Sequence, residues 1–140
     1  MSYLLDTNAV SEWVRPRPDP GIVRWLDEVD EDRTYLSVIT LGELRKGVDR
    51  LADGRRRARL DQWLTTELPD RFSGRLLPVD AAVADKWGQL LARAENTGRA
   101  VAAVDALIAA TANVHSLKVV TRNVGHFRDA SVEVVSPWLK

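Results

Sequence analysis

Tyr3-Leu4-Leu5-Asp6-Thr7-Asn8-Ala9-Val10 decides the fold. Three apolar residues stop at an acid, two helix-starting polar residues follow, and Ala9 to Val14 come next. This reads as strand, turn and helix, with Asp6 at the carboxyl end of the strand. Similar transitions recur down the chain. Thr34 to Ile39 reads as a buried strand leading into a helix that begins at Thr40, and Leu76 to Val79 as a short strand before a helix capped by Asp80 and running to about Glu95. Lys118 to Thr121 is a strand that enters the polar turn Arg122-Asn123, and Val132 to Val135 is the last. Strands alternating with helices predict an α/β fold with a mostly parallel central sheet. In such sheets ligands bind beyond the carboxyl ends of the strands, which is where Asp6 stands.

The intervening segments are helical. Arg15 to Pro20, with three prolines in six residues, breaks the first helix, and Asp19-Pro20 opens another reaching about Val29. Leu41, Leu44, Val48 and Leu51 mark one face of a helix from Thr40 to about Ala52, which Asp53-Gly54 ends. A second arm from Arg55 to Leu68, with Leu60, Trp63 and Leu64 on one face and Pro69 as its stop, completes a helical hairpin at about 40–68. Its apolar faces make it the expected partner surface. Val83, Trp87, Leu90, Leu91 and Ala94 stripe the helix that Thr97-Gly98 stops, and an alanine-rich helix runs from Ala103 to about His115. Trp25, Trp63 and Trp87 read as core.

The 140 residues suit a single domain, 1–140, with one core. A composition of 45% hydrophobic and 29% charged residues lies far from the disordered regime. No apolar run is long enough to span a bilayer, and Met1 to Asn8 lacks the pattern of a secretory signal, so the expected location is cytoplasmic. The absence of cysteine excludes disulfides and thiolate metal sites, leaving hard oxygen donors and two histidines, His115 and His126, which are not spaced as a zinc pair. A formal net charge of zero supplies no general attraction for nucleic acid. The basic block Arg55, Arg56, Arg57 and Arg59 and the acidic block from Asp27 to Asp32 read as solvated faces.

Asp6, Glu43 and Asp105 are the candidate catalytic and metal-ligating residues. Asp6 lies at the sheet edge, although aspartate is also an ordinary cap. Thr7 and Asn8 can support the carboxylate or water, or cap the helix. Glu43 completes a capping box, Thr40-Leu41-Gly42-Glu43, and equally lies just beyond a strand, where a helix dipole favours an ionised acid. Asp105 shares a helix face with Ile108, Ala109 and Ala112, so its charge needs compensation, from Arg122 or from a cation shared with Asp6. Arg122 and Asn123 can position a phosphate, and Asn123 is also an ordinary turn residue. Convergent carboxylates without cysteine suit Mg2+ or Mn2+ and phosphodiester hydrolysis, with Asp6 and Asp105 as direct ligands and Glu43 on a coordinated water.

Leu-Leu-Asp-Thr-Asn at 4–8, Gly-Glu-Leu-Arg-Lys-Gly at 42–47, Val-Asp-Ala-Leu-Ile-Ala-Ala-Thr-Ala at 104–112 and Val-Thr-Arg-Asn at 120–123 together resemble the PIN-domain ribonucleases, in particular the VapC-type toxins and their FitB-like branch. The resemblance implies a three-layer α/β/α sandwich with a five-stranded parallel sheet and Mg2+- or Mn2+-dependent RNA cleavage. It also implies a homodimer and a cognate antitoxin whose tail fills the toxin's groove. The chain departs from the family's acidic pattern where Asn123 replaces an aspartate and where His126 stands before Phe127. Three carboxylates and one firmly held ion are therefore expected. Two other activities fit parts of the sequence. A non-catalytic module would use the acidic pocket to hold a basic partner segment. A small-molecule phosphohydrolase would use Asp6 as nucleophile, but with Asn8 in place of the second acid of an Asp-x-Asp pair.

Overall fold

Leu4 and Leu5 are neighbours in the chain yet belong to different cores. In the computed structural model, which describes residues 1–128 and 130–139, both are fully buried. Leu5 packs with Ala9, Val10, Leu36, Phe72 and Val120, whereas Leu4 packs with Val83, Ile108, Ala109 and Val119. Successive side chains of a strand point to opposite faces, so a strand with both faces buried sits inside a sheet covered on each side. That strand is β1, Tyr3–Leu5. It lies between β2 (Thr34–Ser37) and β4 (Lys118–Val120), and β3 (Leu76–Leu77) and β5 (Val134–Val135) complete the order β3-β2-β1-β4-β5. All four pairings are parallel, with Leu4 opposite Tyr35 on one side and Val119 on the other.

One face carries α1 (Thr7–Ser11), α2 (Pro20–Glu28), α3 (Val38–Asp49), α4 (Arg55–Gln62) and α5 (Leu68–Arg71), which contribute Ala9, Ile22, Leu44 and Leu68 to the Leu5 core. The other carries α6 (Ala81–Asn96) and α7 (Ala103–His115). Ala106, Ala109, Ala110 and Ala112 of α7 are fully buried, so this helix lies tight against its neighbours and brings its first turn to the strand ends. The expected α/β/α sandwich is the one observed. Among the described residues, no helix is long and apolar enough to cross a membrane.

Two expected boundaries move, each for a local reason. The helix predicted from Thr40 begins at Val38, because the Ser37 hydroxyl caps it by accepting from the Ile39 N–H at 3.0 Å. Thr40 is then inside the helix and fully buried, and the Thr40-to-Glu43 capping box does not form. The hairpin extends to Arg71 rather than stopping near Leu68. Pro69 has no N–H for the Thr65 carbonyl, and in a regular α-helix its ring would crowd that carbonyl. The chain widens instead into a π-turn over Trp63–Glu67, in which the Leu68 N–H reaches five residues back to the Trp63 carbonyl. Phe72 then bonds to Leu68 at 3.1 Å, and Leu64, Leu68 and Phe72 all enter the core. Burying these three side chains favours continuation past the proline.

The far end of the chain is pinned against α2. One Asp19 carboxylate oxygen accepts from Gly21, Ile22 and Leu139 N–H groups at 2.9, 3.3 and 3.1 Å. A Cβ at Gly21 would lie 2.3 Å from the Pro137 carbonyl oxygen, so only glycine permits this approach. Trp138 enters the core beside it.

Candidate active site

Thr121, the residue after β4, joins the parts of the site. Its fully buried hydroxyl donates to Asp6 Oδ2 at 2.8 Å and accepts from Asn8 Nδ2 at 3.2 Å and the Asn123 N–H at 3.1 Å. One donor and two acceptor positions are all a hydroxyl has, so this group is saturated. The pairing of Leu5 with Val120 sets Thr121 beside Asp6, 115 residues away in sequence. Asp6 is also the N-cap of α1, with Oδ1 accepting from the Thr7 N–H at 2.9 Å. Asn8 holds the following turn, because its Oδ1 accepts from the Arg122 N–H at 3.1 Å.

Glu43 comes from the second turn of α3, and its Oε1 accepts from the Thr7 hydroxyl at 2.5 Å. Its carboxylate therefore serves the cleft and not a helix cap. Asp105 comes from the first turn of α7, half-buried, with Oδ2 3.4 Å from His126 Nδ1. The mate suggested for it, Arg122, is elsewhere: Arg122 does not line the cleft, and its charge acts on Asp19. The cleft, of about 550 Å³, is lined by Asp6, Thr7, Glu43, Asp105, Asn123 and His126 together with Asn8, Ser11, Arg15, Ala102 and Val104.

Burial raises the Asp6 carboxyl above the ordinary range; hydrogen bonds from Thr121 and Thr7 pull it back, and the Asp105 charge pushes it up again. Asp105 is raised as well, first by burial and then by Glu43, with His126 acting against the rise. Asp105 thus makes Asp6 harder to ionise and Glu43 does the same to Asp105, and a bound cation would remove the conflict. Among the described residues no three acidic or imidazole groups stand close enough to enclose an ion, so a closed three-carboxylate cage is not formed. The donors fit a hydrated hard cation better. Mg2+ keeps several waters and takes one or two carboxylates plus substrate phosphate, which matches Asp6 and Asp105 with Glu43 one layer out.

Residues 3–132 match the PIN domain family. The chain belongs to that family. It is 44% identical to toxin FitB of Neisseria gonorrhoeae over 135 residues, 96% of this chain and 97% of the relative. It is 35% identical to VapC ribonuclease Y4jK of Sinorhizobium fredii over 135 residues, covering 96% of each chain. The solved structure of FitAB bound to an IR36 DNA fragment superposes on this PIN domain with a TM-score of 0.92 at 41% identity, covering 99% of this chain and 96% of that one. Within this PIN domain the site residues missed by sequence are Thr121, Glu12 and Arg15. The Glu12-x-x-Arg15 spacing was the visible sign of that pair, since residues three apart meet on a helical turn.

Proposed function

We propose that this chain is an endoribonuclease that acts as the toxin of a toxin–antitoxin pair, using Mg2+ or Mn2+ held by Asp6 and Asp105. The observation that carries the proposal is the convergence of three carboxylates, Asp6, Glu43 and Asp105, from three separate elements on one cleft at the sheet edge. Membership of the PIN family and identity to a toxin and a VapC ribonuclease support the substrate class. Structural similarity to a member of the VapBC family of toxin–antitoxin systems from Mycobacterium tuberculosis supports an antitoxin partner.

When bound, the ion supplies positive charge against the phosphodiester and acidifies water in its shell. The chain supplies the rest. Asp6 is held rigid by Thr121 and Thr7 and cannot turn away from the cleft. Glu43 has one oxygen fixed by the Thr7 hydroxyl, leaving Oε2 to accept the proton of the attacking water. Asn8 keeps Arg122-Asn123 in its turn, so that the Asn123 amide faces substrate at the cleft wall. The toxin works in the cytoplasm as a homodimer, with the hairpin from Val38 to Arg71 as its partner surface.

The test is cleavage of single-stranded RNA by the purified chain with Mg2+, Mn2+ or EDTA. Cutting is expected with either metal and not with EDTA, and Asp6→Asn should abolish it. Equal cutting by Asp6→Asn would refute the assignment.

A further inference from the structure

Glu12 is 1% exposed and plays no part in the chemistry above. Its Oε1 accepts from Arg15 Nη1 at 2.9 Å and its Oε2 from the Asp19 N–H at 3.3 Å. A carboxylate taken out of water is costly even when paired, and such a pair is poor evidence for added stability but good evidence for a fixed orientation. What it orients is Arg15. That side chain remains half-exposed and lines the acidic cleft together with Asp6, Glu43 and Asp105. It also borders the adjoining apolar hollow formed by Val14, Leu44, Leu60 and Trp63. Among the described cleft-lining residues Arg15 is the one permanent cation. A guanidinium carries five N–H donors in a planar fork, so pairing with Glu12 leaves others for a second acidic group.

An RNA strand faces an electrostatic problem here. The chain has no net positive charge, and its cleft is walled by carboxylates. We propose that Arg15, held in place by Glu12, binds a backbone phosphate of the RNA next to the one being cut, and that Glu12 is a positioning residue acting through it. This rests on the ribonuclease assignment.

The test measures RNA affinity against KCl concentration in an Asp6→Asn background, where RNA is bound without being cut, alongside KM and kcat in the unmodified background. Arg15→Gln strands a buried charge, so the double variant Glu12→Gln/Arg15→Gln is included to keep the fold. Loss of a hydrogen-bonded ionic contact should weaken binding about ten- to a hundredfold. The salt slope should fall by about 0.7, the value for one phosphate on a single strand. KM should rise with little change in kcat, and Arg15→Lys should restore the slope but only part of the affinity. If the unmodified chain cuts RNA while the double variant keeps its salt slope and KM, the role of Arg15 is overturned and the nuclease stands. If the unmodified chain neither binds nor cuts RNA, both fall.

Discussion

Replacing Thr121 with valine keeps the shape of a buried side chain and deletes one oxygen, which makes it the sharpest probe of the site. The hydroxyl's bond to the Asp6 carboxylate is of the charge-assisted kind, worth about 1.5–3 kcal/mol. The two donors it leaves behind, the half-buried Asn8 amide and the exposed Asn123 N–H, can find water and should cost no more than about 0.5 kcal/mol each. The expected loss is about 1.5–4 kcal/mol at pH 7, or roughly 4–15 °C in Tm for a domain of this size. Urea unfolding in EDTA, with the m-value unchanged, measures it. The pH dependence adds a second check. Asp6 has its folded pKa raised above the ordinary 3.8, so ionising it subtracts from stability as pH rises through the folded value. Thr121 limits that subtraction by favouring the charged form. Without the hydroxyl the pKa climbs further, and the deficit should be largest at neutral pH and shrink towards pH 4. A deficit under about 0.5 kcal/mol at pH 7, or one of the same size at both pH values, would refute this account of Thr121.

Asp105→Asn removes an acid that burial and Glu43 both oppose, so it should raise the Tm of the metal-free chain at neutral pH and abolish cleavage. The folded pKa is raised, so the gain should disappear as pH falls to the ordinary carboxylate value, and thermal melts across that range in EDTA would show it. Mg2+ should raise the Tm of the unmodified chain, by up to about 2.7 kcal/mol of stability at a hundred times its Kd, but not that of Asp6→Asn/Asp105→Asn. A metal titration followed by calorimetry checks this. Gly21→Ala forces a methyl against the Pro137 carbonyl and should cost about 1–3 kcal/mol, with faster exchange of the Leu139 amide proton seen by NMR.

Sequence showed where chemistry could sit better than how it is held. Asp6 and Asp105 were legible because a short apolar run ending in an acid, and an acid on an alanine face, are local patterns. Glu43 was ambiguous because Thr40 and Glu43 fit a capping box. What moved the helix start was Ser37, whose hydroxyl caps only because β2 ends there, while the β-branched Val38 and Ile39 read as more strand. The phosphate contact was sought at Arg122, next to Asn123 in sequence. The cleft instead holds Arg15, and its partner Glu12 was hidden because charged residues are expected outside. Thr121 looked like the end of a strand. Its bonds to Asp6 and from Asn8 exist only once β4 pairs with β1, and no local pattern carries that. Pro69 has both readings in one residue: a helix stop by its own chemistry, overruled by the core position of Phe72.

The central place of β1 also has a consequence for synthesis. Asp6 leaves a ribosome well before the strand that must flank β1, since its hydroxyl partner is residue 121 on the far side of β4. Asp105 arrives only slightly earlier. A nascent chain that stops short of Thr121 therefore carries the acids without the hydroxyl that fixes the first of them. Domains acquire their long-range contacts only when the distant segments are available. The order of the strands thus leaves the cleft unassembled on a growing chain until β4 has been made.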